Sequence, residues 1–306
     1  MHRYRAFGLS IASDIKMDEL IKDPLHKSAP DLVIERAKLG YEIGRLGEVP
    51  SSMHWNDPDG VTMVWPGAAA VRIAGPDRIE IEPHEEVQEN YLAFPLLGPV
   101  MGWLLHIRKT YVLHASAVKV DDHSLTFLGD KLAGKSTTAA AFLSAGAALL
   151  TDDLLAFDLD HDGAPLIQPA FPQLKLDEAS SGSVSVPDAT PLPLLMEGFE
   201  KKQIRLAAMN EASEPCDAIF VLRRRGNQPR IEWLDGGSAL QAILRYSYMI
   251  RFGDAPIEMQ ERKRHFQQAA HIATTTRVGE LNLPADLERL PEAVDYVRKE
   301  LRALQN

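Results

Sequence analysis

The residues most able to do chemistry lie between positions 114 and 153. Gly129-Asp130-Lys131-Leu132-Ala133-Gly134-Lys135-Ser136 fits the pattern G-x-x-x-x-G-K-[ST] and is followed by Thr137. In that pattern backbone N–H groups surround phosphates, the lysine reaches the β and γ oxygens, and the last hydroxyl ligates magnesium. The apolar run Ser124–Leu128 before it reads as a strand, and the alanine-rich Lys135–Ala145 after it as a helix closed by Gly146. The loop therefore opens a helix, where unpaired N–H groups and the helix dipole favour anions. ATP with Mg2+ is the expected ligand pair, cradled by Gly129, Asp130, Lys131, Leu132, Ala133, Gly134, Lys135, Ser136 and Thr137.

Two further groups are expected at the same place. A helix of that length rises ~16 Å, and the following strand, from Ala147 through Thr151, brings the chain back by a similar distance. Asp152 and Asp153 then return to the level of the phosphates. If Asp121-Asp122 turns a hairpin between Tyr111–Val120 and Ser124–Leu128, His114 falls opposite Gly129. Phosphoryl transfer asks the protein for metal, charge neutralisation and a group that orients or deprotonates the acceptor hydroxyl. The expected division has Asp152 as general base, Lys135 on the phosphoryl group, and Ser136 and Asp153 on the metal. His114 is an orienting or proton-handling partner. The two aspartates are interchangeable at this level.

Other cations are placed less specifically. Lys175, Lys201, Lys202 and Arg205 could neutralise phosphate, but each reads first as a solvated strand-edge charge. Arg223-Arg224-Arg225 before Gly226 reads as a basic turn that aids solubility. Arg245 and Arg251 could approach nucleotide, with nothing in the pattern that requires it.

The chain that must position these residues has 306 of them, 45% hydrophobic and 25% charged, the composition of a folded globular protein. A formal net charge of −10 disfavours nucleic acid as a partner. The single cysteine, Cys216, excludes an intrachain disulfide framework, and the histidines lack zinc-site spacing. No G-x-S-x-G pattern is present. The opening residues lack the apolar run of a secretory signal, and Tyr91–Leu105, the most apolar stretch, is interrupted by prolines and glycines and too short to span a bilayer. A cytoplasmic protein with no membrane partner is the expectation.

Residues 1–105 are expected to form a β-rich domain of short antiparallel strands: Tyr4–Ile11, Leu32–Ala37, Val61–Trp65, Ala70–Ile73 and Arg78–Ile81. Turns such as Asn56-Asp57-Pro58-Asp59-Gly60 separate them, and a proline-bent helix over Gln88–Arg108 leads out. Residues 106–306 are expected to form an α/β domain. Its later strands are Leu154–Leu159, Gln203–Leu206, Ala218–Arg223 and Arg230–Leu234, and its helices lie around Ser238–Tyr248, Ile257–Thr274 and Glu288–Leu304. Asp177–Pro193 reads as a mobile loop.

His114-Ala-Ser-Ala-Val-Lys-Val, the loop Gly129–Thr137 and the pair Asp152-Asp153 together resemble the catalytic domain of the HPr kinase/phosphorylase family, with the same elements at the same separations. The resemblance implies a P-loop kinase core of the HPr kinase/phosphoenolpyruvate carboxykinase type, a protein serine as acceptor, and assembly into a homo-oligomer. Two features depart from that family. Lys131 and Leu132 replace its serine and second glycine, and its later Glu-x-Arg-Gly-Leu-Gly stretch has no counterpart, which counts against its reverse phosphorylase reaction. Tyr4-Arg-Ala-Phe-Gly-Leu-Ser-Ile, Ser13-Asp-Ile and Pro169-Ala-Phe-Pro-Gln-Leu-Lys-Leu are similar to relatives encoded with ribosomally made peptides, including lasso-peptide precursor kinases. That narrower likeness implies a peptide substrate carrying an acceptor serine. A small-molecule kinase and a nucleotide-binding regulator without transfer activity are the alternatives.

Overall fold

The computed structural model describes residues 1–25, 28–45, 51–57, 59–159, 163–193, 201–225, 227–253, 255 and 257–303. Pro58, Gly226 and Leu304, expected in two turns and at the end of the last helix, lie outside them. The chain divides into two compact units. The first comprises Met1–Thr110, Pro193–Gly198 and Phe252–Pro256, and the second Tyr111–Leu192, Phe199–Arg251 and Ile257–Asn306. The sequence division after residue 105 gave all later residues to one domain; here two short later segments group with the first unit.

The first unit carries β1 (His2–Ala6), β2 (Leu9–Ser13), β3 (Ile21–Lys22), β4 (Leu32–Arg36), β5 (Ser52–Asp57), β6 (Gly60–Trp65), β7 (Ala69–Ile73) and β8 (Arg78–Pro83) in one sheet, ordered β3-β1-β2-β4-β8-β7-β6-β5. Two sequence expectations change. Tyr4–Ile11 is a hairpin and not one strand, because Phe7 and Gly8 take φ of 54° and 72° and turn the chain between β1 and β2. The sheet is mixed and not antiparallel, since β2–β4 and β4–β8 pair in parallel across long connections where no tight turn can join them. The expected bent helix is α1 (Glu89–Pro95), a wide turn over Leu96–Val100, and α2 (Met101–Ile107). Pro95 and Pro99 lack the amide hydrogens a continuous helix needs.

The second unit begins with β9 (Tyr111–Leu113), β10 (Ser116–Val120) and β11 (His123–Leu128), followed by α3 (Lys135–Ser144), β12 (Ala148–Thr151), β13 (Leu155–Asp158), β14 (Leu166–Gln168), β15 (Gln173–Leu176) and α4 (Glu178–Ser183). It continues with β16 (Thr190–Pro191), β17 (Lys202–Arg205), β18 (Glu214–Pro215), β19 (Ala218–Arg224), β20 (Arg230–Trp233), α5 (Gly236–Arg245), α6 (Met259–Thr275), β21 (Arg277–Leu283) and α7 (Leu290–Ala303). The central sheet runs β12-β10-β11-β19-β21-β20. Successive residues of a strand face opposite sides, and here both sides are covered. Val118, Val120, Leu125, Phe127, Phe220 and Leu222 pack with α3 and α7. Ala117, Leu128, Ile219 and Val221 pack with α5 and α6. The architecture is mixed α/β.

Three differences from the sequence reading bear on the site. The expected strand Tyr111–Val120 divides at His114-Ala115: β9 pairs with β13 in a second sheet, Leu113 opposite Leu155, while β10 pairs with β11, Ser116 opposite Phe127. His114 therefore stands where the chain leaves one sheet for the other, and no ladder sets it across from Gly129. Asp177–Pro193, expected as a loop, carries α4 near its start and β16 near its end, and the Asp177 side chain caps α4 by accepting from Ser180 N at 2.8 Å. Finally, β21 lies inside the sheet between β19 and β20. Its alternation of Val278, Leu281 and Leu283 with Glu280 and Asn282 carried a period-two signal, interrupted at Gly279.

Candidate functional site

The loop 129–134 leaves the end of β11 and enters α3. Its backbone needs space and unusual dihedrals. A Cβ on Gly129 would stand 2.6 Å from that of Ala133, and Gly134, the residue before the helix, has φ of 91°. No side chain caps α3 among the described residues, so the first-turn amides are open to an anion. The Lys135 ammonium folds over the loop, donating to Gly129 O at 2.9 Å and to Asp130 O at 3.4 Å. Burial lowers its pKa, and the positive charges of Lys201 and Arg251 push the same way against the pull of Asp153 and Asp152.

Leu132 has φ of 68° at the loop tip and is 75% exposed. A branched side chain in the left-handed region costs about 1 kcal/mol or more, and here it recovers nothing by burial. Leu132→Gly is therefore expected to raise stability by about 0.5–1 kcal/mol, measured as a higher urea midpoint. An unchanged or lower midpoint would show that the loop is not strained at this residue.

Pairing of β12 with β10, Ala117 opposite Thr151, delivers the aspartates to the helix entrance. Asp152, 5% exposed, accepts at Oδ1 from Ser116 Oγ (2.6 Å) and Ser136 Oγ (2.9 Å), and at Oδ2 from Lys175 N (3.1 Å). Burial and the adjacent Asp153 charge raise its pKa, opposed by those hydrogen bonds. Asp153 differs in every respect. It has φ of 73°, its carboxylate is 37% exposed, and Oδ2 accepts from Lys175 Nζ at 2.8 Å. Burial works to raise its pKa, but Lys175 and His114 outweigh it and hold the carboxyl well below the usual range.

His114 fixes that left-handed aspartate. Its Nδ1 lies 2.9 Å from Asp153 O and its Nε2 3.3 Å from Arg251 Nη2. A guanidinium only donates, so Nε2 carries the lone pair and the Nδ1 proton goes to the Asp153 carbonyl. Burial, with Lys135 nearby, pushes the imidazole pKa down to about 4. His114 is thus neutral at pH 7, which favours its orienting role over proton handling. An imidazole that ionises near 6.5 when unfolded but near 4 when folded leaves the unfolded state holding more protons between those values. Its contribution is present above pH 6.5 and is lost as pH falls toward 4, to the extent of ~3 kcal/mol. Urea midpoints followed across that range should fall in the wild type and fall less steeply in His114→Asn; parallel slopes would contradict the burial of a neutral ring.

The structure places several cations differently from the sequence expectation. Lys175 is no solvated charge but is 14% exposed and paired with Asp153. Arg251 lies over the Tyr248 ring, 4.9 Å from its centroid, and reaches His114. Arg245 donates to both Asp130 carboxylate oxygens at 3.0 Å, tying α5 to the loop. Arg223 pairs with Glu280, and the Arg224 guanidinium lies against Gly134, so the triple-arginine run is more than a solubilising turn. Lys202 is exposed on β17. Ser116 belongs to the run His114–Val120, but only the strand pairing reveals its bond to Asp152.

Lys135, Lys175, Lys201 and Arg251 thus gather near the two carboxylates, and Arg224 lies against the loop at Gly134, in a chain whose formal net charge is −10. That local reversal suits a polyphosphate. Among the described residues no group of three or more His, Cys, Asp or Glu side chains forms a metal cage. Ser136 and Asp152 fit magnesium, which is commonly held by one or two carboxylates together with substrate phosphates.

No family model matches the chain, and no curated protein matches it. Among solved structures it is similar to the Hpr(Ser) kinase/phosphatase from Coxiella burnetii, with 12% identity over 64% of this chain and 99% of that one and a TM-score of 0.29.

Proposed function

We propose that this chain is a P-loop kinase of the HPr kinase/phosphoenolpyruvate carboxykinase type that moves the γ-phosphoryl group of ATP to a serine hydroxyl of a peptide or protein. The observation that carries the proposal is the 2.9 Å hydrogen bond from Ser136 to Asp152. It joins the hydroxyl of a phosphate loop to a buried carboxylate, the arrangement that holds magnesium in P-loop enzymes.

The roles follow from the surroundings of each group. The loop amides and Lys135 bind the phosphates and hold the γ-phosphoryl group in line. Ser136 and Asp152 would hold Mg2+, which would supply charge neutralisation on the transferring phosphates. Asp153 has the accessible carboxylate and orients the acceptor hydroxyl and takes its proton. This exchanges the two aspartates relative to the sequence-based division, because Asp152 is buried and both its oxygens are engaged by donors. Lys175 and His114 hold Asp153 by side chain and backbone respectively. A carboxylate of low pKa suffices where bond formation to the acceptor lags behind departure of the leaving group.

The acceptor class rests on the sequence resemblance to precursor-peptide kinases, with a lasso-peptide precursor as the first substrate to try. No helix among the described residues is long and apolar enough to cross a membrane. Incubation with Mg·ATP and a serine-bearing precursor peptide should add about 80 Da of phosphate to the peptide. Phosphate on a sugar or amino-acid hydroxyl but on no peptide would make the chain a small-molecule kinase. Bound ATP with no phosphate moved to any acceptor would refute the kinase reading.

A further inference from the structure

Strand pairing brings one more cation to the loop than the sequence pattern requires. β19 runs parallel to β11 with Val221 opposite Leu128, so the residues after Val221 rise beside the loop that follows Leu128. Leu222 lies against Gly129, its Cβ 3.7 Å from the position a Cβ there would occupy. Two residues on, and on the same face of the strand, the Arg224 guanidinium rests on Gly134. Any side chain at 134 would overlap Arg224 Nη2.

That guanidinium is poorly satisfied where it stands. It offers five N–H donors in a planar fork. Its hydrogen bond among the described residues is one contact, Nη1 to Pro284 O at 3.4 Å. The opposing charge that acts on it among the described residues is Asp177, whose carboxylate is already engaged in capping α4. The adjacent Arg223 shows the alternative, a close pair with Glu280 at 2.7 Å. A half-buried cation that pairs with no carboxylate among the described residues, laid against an anion-binding loop, is chemically incomplete.

We infer that Arg224 is a phosphate ligand of this loop, its guanidinium donating across Gly134 to the oxygens of a bound nucleoside triphosphate. The inference rests on the nucleotide-binding reading above and adds to it a contact from another strand. Gly134 then serves twice, supplying the left-handed turn and leaving room for the guanidinium to reach the ligand.

Calorimetric titration of Mg·ATP and of inorganic tripolyphosphate into wild type, R224Q and R224K tests this. The wild type should bind both ligands. R224Q should weaken both by about tenfold or more, and R224K should recover part of the loss by keeping the charge. The ligand-free melting midpoint of R224Q should stay within about 2 °C of wild type. Binding of both ligands by R224Q within about twofold of wild type overturns the inference. So does a loss confined to ATP, which would assign Arg224 to the base or ribose. So does equal weakening in both variants with a lowered midpoint, the mark of a purely structural role. A wild type that binds neither ligand fails at an earlier step and removes the loop reading itself.

Discussion

Lys135→Ala should lower phosphoryl transfer by about three orders of magnitude, ~4 kcal/mol of transition-state stabilisation, while leaving the protein folded. The large kinetic effect follows from where the ammonium is held. The first turn of α3 sets its stem, the loop carbonyls of Gly129 and Asp130 hold its head, and it is 9% exposed. A desolvated charge at a fixed point acts on developing negative charge without first reorganising water. The small structural effect follows from the same burial. Desolvation and the charges of Lys201 and Arg251 disfavour the ammonium in the free protein, so removing it relieves a cost as well as two hydrogen bonds. Label transferred from γ-labelled ATP to a serine peptide, measured beside the urea midpoint, separates the two effects. Transfer within about tenfold of wild type would sink the role given to Lys135.

The phosphate loop was legible in the sequence because its chemistry is local. Gly129, Gly134, Lys135 and Ser136 must sit at fixed spacing for amides, ammonium and hydroxyl to meet one anion, and a strand and a helix must flank them. The return of Asp152 and Asp153 was legible for a similar reason, since helix rise and strand rise are nearly constant. His114 reached the site by a route the sequence did not show. Its place depends on a change of sheet at Ala115 and on Asp153 adopting positive φ, neither of which a hairpin register contains. Lys175 and Arg224 read as surface charges in the sequence because their partners lie far away in the chain. Lys175 meets Asp153 through β15, and Arg224 meets Gly134 through a parallel strand, a pairing whose register no turn records. In the first unit, the turn at Phe7-Gly8 was hidden because phenylalanine is an uncommon residue at positive φ.

The division of labour between the aspartates gives the other large effect, and the two substitutions should fail differently. Asp153→Asn keeps the shape of the side chain but removes the base and the partner of Lys175, so transfer should fall by about 10^3. Affinity for Mg·ATP should then stay within severalfold of wild type, because Ser136 and Asp152 are untouched. Asp152→Asn should instead erase the magnesium dependence of nucleotide binding. Its Oδ1 shares Ser136, and a neutral amide there can neither compensate the metal charge nor accept at both positions, as the carboxylate does from Ser116 and Ser136 at Oδ1 and from Lys175 N at Oδ2. Nucleotide affinity measured with and without magnesium, beside single-turnover transfer, reads out both. If Asp153→Asn abolishes the magnesium effect while Asp152→Asn spares it, the metal belongs to Asp153 and the acceptor hydroxyl to Asp152. Burial argues against that outcome: a base must meet its proton in a plausible acceptor pose, and at 5% exposure, with Ser116, Ser136 and Lys175 N already on its oxygens, Asp152 has no free approach for one.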